Sequence, residues 1–205
     1  MYLRMSIYPT TIRNAKRVKM MKYFIIFTLL AFLAVVMYLP VLKYIIKSDY
    51  WEGLRVVPIV MMAEIFMGIY FNLSFWYKLT DQTLWGAIFS AIGCVVLLAI
   101  NFIFVPQYGY MACAWGGVAG YGVAMVASYF VGQKYYPLYY PLKEIALYTI
   151  LAFITFVVMT LLHEKLSMWL SIAINTLLIL CFIGMIIKRD LPLSKLPIIG
   201  KKFKK

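Results

Sequence analysis

The stretch FNLSFWYKLTDQT, residues 71–83, is a short polar break in an otherwise apolar text. The run before it reaches back to residue 56, and the run after it extends from 84 to 105. Each is about 20 residues long, roughly what a helix needs to cross about 30 Å of hydrocarbon. The break therefore reads as a tight loop between two membrane-crossing helices. Aromatic side chains favour the membrane–water boundary, so Phe75, Trp76 and Tyr77 are expected at headgroup depth, with Lys78 and Asp81 in water.

Working outward, four more runs of this kind appear, giving six spans at about 23–42, 56–77, 84–105, 110–132, 145–162 and 167–187. None alternates as a strand does. In lipid, a helix satisfies its own backbone groups, so the pattern predicts an all-α polytopic helix bundle. Composition agrees. Of the 205 residues, 65% are hydrophobic and 13% charged, with a mean hydropathy of +0.89. Soluble domains carry about 25% charged residues, and an interior of this size cannot hide so much apolar surface from water.

The charge pattern predicts direction. The ends at 1–22, 78–83, 133–144 and 188–205 hold 16 of the 20 basic residues, and the opposite ends hold the other four. Basic loops stay cytoplasmic, which places both termini inside the cell. The chain then divides into a cytoplasmic basic segment (1–22), a six-helix transmembrane region (23–187) and a cytoplasmic basic tail (188–205). That tail suits a surface tether to anionic headgroups. A net charge of +13 in a soluble protein would suggest nucleic acid, but here topology accounts for it and no nucleic-acid partner is expected. The opening residues do not read as a signal peptide, because the apolar run continues to about residue 42 without a small-residue cleavage site. Cys94, Cys113 and Cys181 all lie in apolar runs without metal-ligand spacing, as small hydrophobes do.

Three helices carry patterns that bear on packing and function. The fourth has Ala112, Gly116, Gly120, Ala124 and Ser128 at four-residue intervals, a ridge that lets another helix backbone come close. The third has Gly86, Ser90, Gly93 and Asn101 on one face, interrupted by Leu97. That face suits close packing or a wet cavity, and Asn101 equally suits an interhelical hydrogen bond. Six spans offer few partners for these two faces, so helices outside the chain are expected to cover them. The second helix has the only acid deep in a span, Glu64, with Gly68 and Asn72 following at four-residue spacing. Ionisable groups in hydrocarbon are costly and usually face the bundle interior or a cavity. Glu64, Asn72, Ser90 and Asn101 are thus the candidates for a substrate or ion pathway.

Enzyme chemistry finds little footing. His163, the one histidine, falls in a short outer loop and reads as a solvated residue. No acid pair flanks a nucleophile, and there is no phosphate-cradling loop or metal constellation. No catalytic residue, metal or cofactor is expected.

Residues 50–141 add a resemblance. YWEGLRVVPIV, GIYFNLSFWYKLTDQTLWGAIFSAIG, NFIFVPQYGYMACAWGG and GQKYYPLYYP follow one another in an ordered pattern. A helix ends in Asn72–Ser74 and Trp76–Thr80. The next ends in Asn101 and the Pro106–Gly109 turn. A small-residue helix follows, and Gln133–Pro137 closes the series. This order resembles the C-terminal half of the polysaccharide-biosynthesis (Wzx-type) flippases of the multidrug/oligosaccharidyl-lipid/polysaccharide exporter superfamily.

The resemblance implies a two-lobed exporter fold that flips an undecaprenyl-pyrophosphate-linked oligosaccharide across a bacterial plasma membrane by alternating access. Proteins of that family have roughly twice as many spans, which implies that the N-terminal half of the transporter is missing from this sequence. The resemblance carries over no functional residue, and Glu64 has no fixed counterpart in it. With no nucleotide-binding motif, the energy would come from an ion gradient. Two other classes stay open: a polytopic membrane enzyme acting on lipid-linked substrates, and a small accessory membrane protein.

Overall fold

A computed structural model describes the backbone of residues 2–165 and 168–190, and side-chain surroundings for 14–161 and 170–189. It is helical throughout these residues, with no strand among them, and six of its helical stretches are long and apolar enough to cross a membrane. The helices are α1 (Tyr2–Ile45), α2 (Val57–Leu73), the short α3 (Phe75–Leu79), α4 (Leu84–Tyr108), α5 (Tyr110–Tyr135), α6 (Leu142–Lys165) and α7 (Met168–Asp190). Two 3-10 turns, Ser48–Tyr50 and Glu52–Val56, lead into α2.

Helix α1 runs through residue 22 without interruption, so the boundary expected there is one of composition and not of backbone. Its 44 residues reach about 66 Å at 1.5 Å per residue, well beyond the hydrocarbon thickness. The opening stretch also differs from expectation. Phe75–Leu79 is a further helical turn, and the loop proper is Thr80–Thr83. The chain bends at Ser74, whose hydroxyl donates to the Phe71 carbonyl at 2.6 Å, a local bond that commonly bends helices. Asp81 turns the chain with a φ of 54°, a conformation aspartate tolerates better than most residues. Between α4 and α5 the turn needs a single residue, Gly109, at φ 55° and ψ −138°, where a Cβ would be strained.

Packing divides the bundle into two communicating halves. Met21, Ile25, Leu29, Leu33 and Met37 form a buried stripe along α1, one residue per turn. It packs on Tyr148, Ala152 and Met159 of α6 and on Ile179, Phe182 and Ile186 of α7. Among helices in lipid, apolar contact gains nothing over lipid tails, so close van der Waals fit has to hold such a bundle together. The other half supplies that fit with small residues. Ala112, Gly116, Gly120, Ala124, Ser128 and Gly132 are all buried along α5, which lies between α2 and α4. This ridge finds its partner within the chain, at Gly93 of α4. The expectation that it requires outside helices is corrected.

The aromatic residues of the opening stretch are also placed differently. Phe75 is exposed, but Trp76 and Tyr77 are buried with Phe89, and Trp85 packs against them. They form an internal aromatic cluster where α3 meets α4 and α5, because Gly132 and Gly86 leave room for the rings. Outside, Phe27, Phe102, Phe130, Phe153, Leu177 and Leu180 are exposed around the bundle. An apolar surface spread over every long helix is what lipid requires. The chain is a multi-pass membrane protein by this architecture.

Candidate functional site

Glu64 stands near the middle of the second span, Ser48–Leu79, and its side chain is exposed. Among the described residues it has no hydrogen-bond or ion-pair partner. It shares an uncovered stripe of α2 with Val60 and Phe71. The expectation that it faces the interior of this bundle, or bonds to a neighbouring helix of it, is therefore not met within the chain. An acid at mid-membrane costs about 2.5–3.5 kcal/mol on insertion scales, so this surface needs water or another polypeptide against it.

The same stripe continues through Phe71 into a groove of about 300 Å³ between α2 and α4, floored by Tyr121 and Ala124 of α5. Its polar edge is made by Tyr70 and Ser90. The Tyr70 hydroxyl donates to the Gly86 carbonyl at 3.1 Å and lies 3.2 Å from Ser90 Oγ. Leu97, which interrupts the small-residue face of α4, turns out to fit that face. Its Cβ abuts the α5 surface at Gly120, filling the space a glycine leaves.

The other two candidates lie elsewhere. Asn72 is half-buried and its amide donates to the Gly68 carbonyl at 3.0 Å, one turn back in its own helix. It lines a small cleft with Arg17, Trp76, Tyr136 and Tyr140, at the end of the bundle where α1 and the 136–141 connection meet. Tyr136 donates to Asn14 Oδ1 at 2.8 Å there, and the Lys22 ammonium is paired with Glu144 nearby. Burial pushes the Tyr140 hydroxyl up to about 12, with the neighbouring Tyr129 adding to the effect and Arg17 opposing it. Asn101 is wedged against α5, with its Oδ1 2.7 Å from where a Gly116 Cβ would stand. That oxygen is buried and accepts no hydrogen bond among the described residues, so the interhelical bond expected of it is not seen there. Glu64 and Ser90 thus belong to one open face, while Asn72 and Asn101 belong to two separate contacts.

A third polar site was not anticipated. At the other end of α1, a cleft of about 530 Å³ opens between α1, α6, α7 and the turns before α2. Lys43, Trp51, Arg55, Thr160 and Asn175 line it. Asn175 is a lone amide in the apolar text of α7, and the reasoning applied to Asn101 would have found it.

Among the described residues no group of three or more His, Cys, Asp or Glu could hold a metal ion. His163 lies outside the residues whose side-chain surroundings are described, as does the tail from 190 onward. Cys94, Cys113 and Cys181 are free and exposed on lipid-facing helices. No family model, curated protein or solved structure matches this chain.

Proposed function

We propose that the chain is part of a membrane flippase that carries lipid-linked oligosaccharide across a bacterial inner membrane for surface polysaccharide or O-antigen synthesis. The observation that carries this reading is Glu64, an acid at mid-span with no partner among the described residues, beside a groove edged by Tyr70 and Ser90. A pyrophosphate-linked sugar cannot cross about 30 Å of hydrocarbon unaided, because its charges and hydroxyls would lose their water. A polar face at that depth, set against a second lobe, can replace the lost water, and rocking of the lobes changes the side to which it opens.

The ordered resemblance over residues 50–141 supports the same reading, as does the close packing of α5 against α2 and α4. Glu64 itself would repel a pyrophosphate unless protonated or cation-bound, which assigns it to ion coupling and not to substrate binding. Both termini are then cytoplasmic, and the carrier is undecaprenyl pyrophosphate. Deleting the gene in its host tests this. Lipid-linked oligosaccharide should accumulate on the cytoplasmic leaflet and surface polysaccharide should fall. Unchanged levels of both would refute the reading.

A further inference from the structure

The cleft at the C-terminal end of α1 combines three kinds of surface that seldom occur together by chance. Its walls are apolar, with Leu39 and Pro40 of α1 facing Phe156 and Met159 of α6. Its mouth is cationic. The Lys43 ammonium lies 4.2 Å from the centre of the Trp51 ring, and Arg55 stands one helical turn beyond. Among the described residues neither cation is paired with a carboxylate. Asp49 is held by Lys47 at 2.8 Å, and Glu52, the acid nearest Arg55 in sequence, stands with Arg55 beside Tyr110 of α5 without an ion pair to it.

Trp51 is itself fixed. Its indole N–H is shared between the Lys43 and Ile46 carbonyls at 2.9 and 3.0 Å, which caps the end of α1 and holds the ring under the lysine.

Deeper in, the cleft has an acceptor without a donor among the described residues. Asn175 is 4% exposed and its Oδ1 has no hydrogen-bond partner among the described residues. Asn175 lines the cleft, and its terminal torsion is soft. Pro40 has no N–H to give the Val36 carbonyl four residues earlier, and Val36 lines the same wall. A buried acceptor such as the Asn175 oxygen costs stability until a donor arrives.

The geometry points to a binding site for a lipid whose headgroup carries a phosphate and free hydroxyls. The phosphate would sit between Lys43 and Arg55, the hydroxyls would reach the deep acceptor, and the acyl chain would lie along Leu39, Pro40, Phe156 and Met159. A zwitterionic headgroup would bring its own cation against the two at the mouth. A free phosphate would leave the apolar walls unused. This site shares no lining residue with the groove beside Glu64 and does not depend on the transport reading.

The full chain in detergent, titrated with short-chain phosphatidylglycerol and followed by native mass spectrometry, tests the site. Phosphatidylglycerol should bind at least about tenfold tighter than phosphatidylcholine of the same chain length. The double variant Lys43→Gln/Arg55→Gln should erase that preference, and both residues are exposed, so folding is preserved. Asn175→Leu should weaken phosphatidylglycerol selectively. Lys78→Gln/Arg189→Gln, which removes two cations elsewhere, should change nothing. Equal binding of the two lipids, or a preference that survives the Lys43/Arg55 pair, would overturn the site. Displacement by glycerol 1-phosphate at concentrations equal to the lipid's would overturn the lipid assignment in favour of a free-anion site.

Discussion

Gly93 of α4 and Gly120 of α5 approach so closely that a Cβ built on either meets the other's carbonyl oxygen, at 2.9 and 2.8 Å respectively. Backbone against backbone at this range excludes any side chain. Gly120→Leu should therefore force the helices apart. Overpacking costs about 1–3 kcal/mol, and more where the obstacle is backbone that cannot rotate away. Gly117, three residues earlier, is the internal control, because its Cβ would meet Ala63 at an ordinary 3.6 Å. Thermal unfolding in detergent should show a clear loss for Gly120→Leu and little for Gly117→Ala. Equal melting of the two would mean that α4 and α5 do not meet at this ridge.

That contact also shows what the sequence could reveal. Small residues every fourth position announce a close approach, because only helix periodicity and residue size are involved. The number of spans and the tight turn at Gly109 follow from the same local rules. The identity of the partner does not, and the ridge finds α4 of its own chain instead of an outside helix. Trp76 and Tyr77 carry the composition of a membrane-boundary belt, yet Gly86 and Gly132, far apart in sequence, make room for them inside. Glu64 could be recognised as costly from its depth alone. That its face is left open depends on where α1 and α4 lie around α2, which is tertiary information.

The aromatic cluster makes a second prediction. The Trp76 ring is stacked on Tyr135, 5.8 Å between centroids and 1° between planes, and meets Tyr77 edge-on at 5.4 Å. Its indole N–H is buried with no hydrogen-bond acceptor among the described residues. Trp76→Ala should cost about 3–5 kcal/mol through the cavity it leaves. Trp76→Phe retains much of the stacking and removes an unsatisfied donor, so it should cost far less. Denaturant unfolding that ranks the two variants equally would exclude a packing role for the ring.

Tyr140 predicts an alkaline limit. It lies in the connection between α5 and α6, outside the spans, and its hydroxyl is pushed up to about 12 from an ordinary 10.0, chiefly by burial. A folded-state value above the unfolded one gives stability that is whole below pH 10 and is lost as pH rises toward 12. Melting temperature should fall over that window in the parent protein and fall less in Tyr140→Phe. Identical alkaline profiles for the two proteins would rule out Tyr140 as the group responsible.

Orientation is open to a direct test through Gln82 and Gly53, which lie at opposite ends of the second span. Gly53 has nothing within 4 Å of a prospective Cβ, so a cysteine there is tolerated. With Cys94, Cys113 and Cys181 replaced by alanine, Gln82→Cys and Gly53→Cys are treated in intact cells with an impermeant thiol reagent. The excess of basic residues at the Gln82 end predicts labelling of residue 53 alone. Labelling of residue 82 alone would invert the topology.

The last prediction concerns what Glu64 faces. If it looks at lipid, it is a pure liability, and Glu64→Leu should raise stability and leave transport intact. If it looks into a wet cavity opposite a second lobe, its carboxylate can take up and release a proton or cation during each cycle. Glu64→Gln then keeps the shape and hydrogen-bonding capacity of the side chain but fixes its charge at zero. Expression and melting should stay close to those of the parent, since the group has no partner among the described residues to lose. If the proposed flippase reading holds, the appearance of surface polysaccharide in cells should fall steeply or lose its dependence on external pH. Glu64→Asp retains the titrating group at a shorter reach and should recover part of the activity. Parental transport at every pH in both Glu64→Gln and Glu64→Leu would remove Glu64 from the coupling step.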